Sequence, residues 1–65
     1  MKKLATAIKT AEVKAVIHRK PFVVSEQEGC FYVQALSLYP FQRQAEIILA
    51  NLFNKNCREL IIRPK

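Results

Sequence analysis

Few residues of this 65-residue chain could do chemistry, and their spacing matches no catalytic or metal-binding motif. The chain has two cysteines, Cys30 and Cys57, one histidine, His18, and no aspartate. These three side chains are one ligand short of a closed zinc site. A Cys–His nucleophile pair would need folding to bring them together. We therefore expect both cysteines to be small, buried and reduced side chains without a metal.

Acid–base and phosphate-binding motifs are also missing. Glu26 and Glu28 are the most closely spaced carboxylates, but they fall in a polar segment typical of an exposed loop, which lacks the contrast in environment that acid–base catalysis needs. With a single glycine the chain cannot form a glycine-rich phosphate-binding loop. The sequence therefore predicts a non-catalytic binding protein that uses no cofactor.

Basic residues carry the functional signal. The formal net charge is +6. Residues 1–20 contain six cations and Glu12, which gives this segment a net charge of +5. Residues 55–65 contain four cations and Glu59, a net charge of +3. Residues 21–54 contain Arg43 and three glutamates, a net charge of −2. If the basic ends meet in space, they form a patch for phosphate groups, and we predict a nucleic-acid-binding accessory protein. The predicted phosphate contacts are Lys14, Arg19, Lys20, Arg58 and Arg63.

Length and composition predict one small folded domain over residues 1–65. The hydrophobic share of 51% is too high for a disordered chain. Lys9, Glu12 and Lys14 interrupt any apolar run of the kind found in signal peptides. Together with the low cysteine content, this favours a cytoplasmic protein.

The clearest predicted element is a helix over residues 41–54, preceded by Pro40 and followed by the run Asn54-Lys55-Asn56, which offers an asparagine able to adopt the left-handed cap. Its apolar residues recur with helical period and are expected to face the core, so Leu49→Ala should cost about 2–5 kcal/mol. This stripe comprises Phe41, Ala45, Ile48, Leu49, Leu52 and Phe53. The residues expected to face solvent are Gln42, Arg43, Glu46 and Asn54.

β-branched and aromatic residues predict strands over 22–24, 30–36 and 59–63, with a hairpin loop over 25–29. Residues 1–10 read as a short helix or frayed arm, and alternation predicts a further strand over 12–19. The expected order is (α)βββαβ. This is an α+β fold in which one amphipathic helix packs on one face of a small antiparallel sheet of three to four strands.

One helix cannot cover two apolar sheet faces, so the second face needs the N-terminal segment, a second copy of the chain or another protein. Val23, Tyr32 and Ile61 are expected at the centre of that face. This excess of apolar surface supports an alternative function, that of a protein-binding inhibitor or adaptor that presents a sheet face or a strand edge to its partner. Glu26 and Glu28 favour it too, because they would repel phosphate.

The element order over residues 22–63 resembles that of small bacteriophage proteins that inhibit host machinery, including RNA polymerase and CRISPR surveillance complexes. It is also similar to that of sheet-plus-helix DNA-binding domains such as integrase arm-binding domains. These resemblances rest on element order alone, so they imply no functional residues.

Overall fold

Over the residues that the structure describes, two helices and a three-stranded antiparallel sheet form the fold, which confirms the predicted α+β class. The computed structural model describes residues 1–55 and 57–65. In chain order the elements are α1 (Leu4–His18), β1 (Phe22–Gln27), β2 (Cys30–Ala35), a 3₁₀ turn (Leu36–Leu38), α2 (Phe41–Leu52) and β3 (Glu59–Ile62). The sheet order is β2-β1-β3. One helix lies on each face of the sheet, so the fold has three layers.

The N-terminal segment is one continuous helix, so the predicted strand over residues 12–19 is wrong. Ala7, Ala11 and Ala15 are fully buried on one side of α1. Alanine is the best helix former, and its small side chain lets the helix axis approach the sheet closely. The alternation that suggested a strand comes from Val13, Ala15 and Ile17, but in α1 both Val13 and Ile17 point to solvent.

The hairpin between β1 and β2 is tighter than the predicted five-residue loop. Gln27 pairs with Cys30, which leaves Glu28 and Gly29 as a two-residue turn. Both turn residues have positive φ, at 51° and 78°. This is the backbone of a type I′ turn, whose twist matches the flanking strands. Consequently β1 extends through Ser25, Glu26 and Gln27.

Each helix covers its own core cluster. Under α1 lies a cluster made of Ala7, Ala11, Ala15, Phe22, Val24 and Ala35. Under α2 lies a smaller one made of Val23, Leu36 and Ile47, with Tyr39 and Ile61 packed against it. Each sheet face therefore receives a helix of the chain itself, although Tyr32 of β2 remains half-exposed on the α2 side. The face that carries Val23 and Ile61 receives α2, and the opposite face receives α1.

Helix α2 has the opposite orientation to the one predicted. Ile47, which is not part of the predicted stripe, is its one fully buried residue, at 0% exposure. Phe41 is 90% exposed, Leu52 71% and Leu49 53%. We define the α2 face as the exposed apolar side of this helix. It comprises Phe41, Ala45, Ile48, Leu49 and Leu52.

Polar contacts on the Ile47 side explain this orientation. Gln44 donates to the carbonyl of Tyr39 at 2.7 Å, and Arg43 pairs with Glu59. The side-chain amide of Asn51 donates to the Glu59 carbonyl at 3.0 Å and accepts from Ile61 N–H at 3.2 Å. Turning α2 to bury its apolar face would break these bonds and leave strand groups unpaired. Helix α2 is therefore held to the sheet by Ile47 and by the polar side chains of Arg43 and Asn51, while Gln44 connects its first turn to the preceding segment.

Both edges of the sheet are partly closed. In an antiparallel ladder alternate residues point their backbone groups away from the partner strand. On β3 such outward groups are the ones that Asn51 binds. On β2, Met1 and Phe31 exchange backbone hydrogen bonds of 2.6 and 3.0 Å. Edges filled in this way are poor templates for pairing with another strand.

Candidate nucleic-acid interface

Strand pairing brings two of the basic segments together. Phe22 opens β1 and lies opposite Ile62, the last residue of β3. Arg19 and Lys20 directly precede the first strand, and Arg63 directly follows the other. All three side chains belong to exposed residues at one end of the sheet. We call this cluster the basic end.

The basic end has no acidic residue in its own segments. Residues 13–25 and 60–65 contain lysine and arginine but no glutamate. The hairpin glutamates, Glu26 and Glu28, lie at the opposite end of the sheet, on the order of 15–20 Å away at about 3.3 Å per strand residue. The hairpin glutamates are therefore remote from the basic end along the strand direction.

Helix α1 extends the basic end along its outer side. Lys14 is exposed five residues before Arg19, which is about 7–8 Å along the helix axis. Lys14 and Lys9 also line a shallow groove of about 440 Å³ on α1, together with Thr6, Thr10, Val13 and Ile17. Lysine stems can cover apolar surface of this kind while the ammonium groups remain in water.

Arg58 is not part of this cluster. Its carbonyl accepts a 3.2 Å hydrogen bond from Glu26 N–H, which fixes it at the hairpin end of the sheet. Lys2 and Lys3 lie at that end as well, because Met1 pairs with Phe31 in the second hairpin strand. Of the five predicted phosphate contacts, the structure places Lys14, Arg19, Lys20 and Arg63 toward one end and Arg58 at the other.

Arg19 has an unusual backbone. It is the C-cap of α1, in the left-handed region at φ 54° and ψ 42°, and its N–H donates to the Ala15 carbonyl. Glycine is the usual residue at such a position, because a side chain there is strained. The chain thus places an arginine where glycine would be more stable.

The predicted protein-interface residues have different surroundings. Val23, at 0% exposure, and Ile61 lie under α2, so the expectation that they form an uncovered face is wrong. Tyr32 is half-exposed on the same sheet face, in the strand that α2 does not contact closely. Exposed apolar residues lie instead on the α2 face and on the outer side of α1, at Val13, Val16 and Ile17. The residues of the α2 face are the ones that the helical period alone assigns to the core.

A polar cluster links Cys57 to α2. The Cys57 thiol donates to Glu59 Oε2 at 3.0 Å, and the other oxygen of Glu59 pairs with Arg43. Burial raises the pKa of Cys57, and its hydrogen bond to Glu59 adds to the rise. Burial opposes ionisation of Glu59, but hydrogen bonds from Cys57 and Arg43 outweigh it, so the pKa of Glu59 is lowered.

A protonated thiol is a poor nucleophile, and this geometry favours the protonated form of Cys57. The expectation that both cysteines are buried is wrong for Cys57, which is exposed as a residue, whereas Cys30 is partly buried. Within residues 1–55 and 57–65, no group of three or more histidine, cysteine or acidic side chains is placed to hold a metal ion.

Acid should weaken the fold through Glu59. Because the pKa of Glu59 is lowered on folding, its contribution is fully present above the pKa of the unfolded chain and is lost as the pH falls through the folded value. In Glu59→Gln this part of the acid destabilisation should disappear. Urea unfolding of the wild-type protein and Glu59→Gln between neutral pH and pH about 3 measures this difference in the free energy of unfolding.

Glu46→Gln is the control, since Glu46 also pairs with Arg43 but is exposed. Equal pH dependence in all three proteins would contradict the assignment.

Comparisons with known protein families, with curated proteins and with solved structures found no match to this chain. Among the residues that the structure describes, neither helix is long and apolar enough to cross a membrane.

Proposed function

We propose that this protein is a non-catalytic nucleic-acid-binding protein that contacts phosphates through its basic end. The observation that carries the proposal is the pairing of Phe22 with Ile62, which joins Arg19 and Lys20 to Arg63 at one end of the sheet. Separate basic blocks of the sequence thereby form one surface, with the acidic hairpin at the far end.

The chemistry of the basic end suits phosphate better than bases. Lysine and arginine gain affinity for nucleic acid mainly by releasing the counterions of phosphates, which is independent of base sequence. Neither tyrosine is freely presented for stacking on bases: Tyr39 packs against the α2 core cluster, and Tyr32 lies in the middle of β2. Binding should therefore be strongly salt-dependent and weakly sequence-dependent.

Arg19→Gly separates binding from folding. Glycine accepts the left-handed backbone at position 19 without strain, so the variant should be more stable than the parent by up to about 1 kcal/mol. It should nevertheless bind DNA or RNA more weakly and lower the magnitude of the salt slope by about 1, because one phosphate is no longer neutralised. Fluorescence anisotropy at several salt concentrations and thermal melting measure the two effects.

The matched control is Glu28→Gly at the hairpin tip. Glu28 has the same left-handed backbone, with φ 51°, but lies at the opposite end of the sheet and carries a negative charge. This variant should also gain stability, while nucleic-acid binding should stay the same or strengthen slightly. If both glycine variants bind as the parent does, Arg19 makes no phosphate contact.

A further inference from the structure

The α2 face is the largest feature that the proposed function leaves unused. Its large apolar residues point to solvent on the side of the helix away from Ile47. Phe53 follows directly at the end of the helix and is 63% exposed. An exposed apolar patch of this size on a small protein usually marks an interaction site.

The spacing of this face is that of a helix–helix seam. Phe41, Ala45, Ile48 and Leu52 are separated by four, three and four residues, which is the spacing of core positions in a coiled coil. If two such helices pack antiparallel about a two-fold axis, Phe41 lies opposite the partner's Leu52, and Ala45 opposite the partner's Ile48. A small residue then meets a larger one at the centre, as close packing requires.

Charge favours a second copy of this chain as the occupant. The protein carries a formal net charge of +6, so two copies associate most readily through a surface with little positive charge. The seam and the helix positions that flank it are uncharged: Gln42 and Leu49 on one side, Gln44 and Asn51 on the other. Arg63 borders the face at one place, in a groove that it shares with Ile48 and Leu52.

The exposed area of the α2 face limits the kind of interface that it can form. From the exposed fractions of their side chains, the residues of the α2 face together with Phe53 expose on the order of 500–600 Å² of apolar surface per protomer. Stable interfaces begin at about 600 Å² per protomer. The area lies at the lower limit for a stable interface, which favours a reversible dimer over a permanent one.

We infer that two copies of this chain form a two-fold dimer in which the α2 faces pack antiparallel, Phe41 of each against Leu52 of the other. Isologous contact of this kind is closed, so association stops at two copies. The inference does not depend on nucleic-acid binding, and either can hold without the other.

Sedimentation velocity of the wild-type protein from low micromolar to near-millimolar concentration tests it. Phe41→Glu and Leu52→Lys should each raise the dissociation constant of the dimer by about 10²-fold or more, because each buries an unpaired charge. Both residues are mostly exposed in the single chain, so folding should be unaffected, which circular dichroism checks. An equimolar mixture of the two variants should form a heterodimer, since the carboxylate introduced in one variant then faces the ammonium group introduced in the other.

Ile17→Glu is the matched control, because Ile17 is 68% exposed but lies on α1. It should dimerise as the parent does. Three results would each overturn the inference: a wild-type protein that remains monomeric throughout, a mixture of the two variants that remains monomeric, or an Ile17→Glu variant that dissociates as readily as Phe41→Glu. A monomeric wild type would leave the α2 face to a different protein or to none.

Discussion

Replacing Ile47 with alanine should lower the free energy of unfolding by about 2–5 kcal/mol. Ile47 is the residue of α2 that is fully buried, and it contacts the cluster formed with Val23 and Leu36. A chain of this length has a total stability on the order of 3–10 kcal/mol. The substitution should therefore bring the protein close to unfolding at room temperature, which chemical denaturation in dilute solution measures.

Leu49→Ala is the contrasting variant. The helical period alone places Leu49 in the core, whereas the structure leaves it half-exposed on the α2 face. In dilute solution, where the protein is monomeric, this variant should differ from the parent by less than about 1 kcal/mol. If Leu49→Ala were the more damaging of the two, α2 would be turned the other way and the α2 face would not exist.

The second large effect concerns binding. Substituting alanine for Arg19, Lys20 and Arg63 together should lower the magnitude of the salt slope by about 3 and weaken nucleic-acid binding on the order of 10²-fold at moderate salt. The loss should be similar for every sequence, because phosphate contacts carry no base information. Stability should change little, since all three residues are exposed.

A second triple variant serves as its control. Alanine at Lys2, Lys3 and Arg58 removes the same three charges, so both variants have a formal net charge of +3 instead of +6. These residues lie at the hairpin end of the sheet. They should contribute only through the long-range field, and the loss of affinity should be much smaller. Equal losses in the two variants would mean that net charge, and not the basic end, governs binding.

The fold class and most element positions could be predicted from the sequence because the local signals agree there. β-branched and aromatic runs mark the strands, and Pro40 and the asparagines after residue 53 mark the limits of α2. Of these asparagines, Asn54 has the left-handed backbone expected of a cap. The state of residues 12–18 could not be predicted, because alternating and helical periods overlap in that segment. The alanines of α1 favour a helix because they pack against the sheet, and the sequence alone does not show this packing.

The orientation of α2 could not be predicted, because periodicity identifies the apolar side of a helix without showing what that side contacts. Here Asn51 and Gln44 hold the more polar side to the chain's own backbone. The basic end was predictable in part. Charge counting identifies the basic blocks, but only the pairing of β1 with β3 shows that Arg63 joins Arg19 and that Arg58 does not.

The most direct test of the proposed function is the affinity of the wild-type protein for mixed-sequence DNA and RNA as a function of salt. With Lys14, Arg19, Lys20 and Arg63 each neutralising one phosphate, the logarithm of the affinity should fall linearly with the logarithm of salt concentration, with a slope of about −3 to −4. Absence of measurable binding at low salt, or an affinity that does not change with salt, would contradict the proposal that the basic end binds nucleic acid.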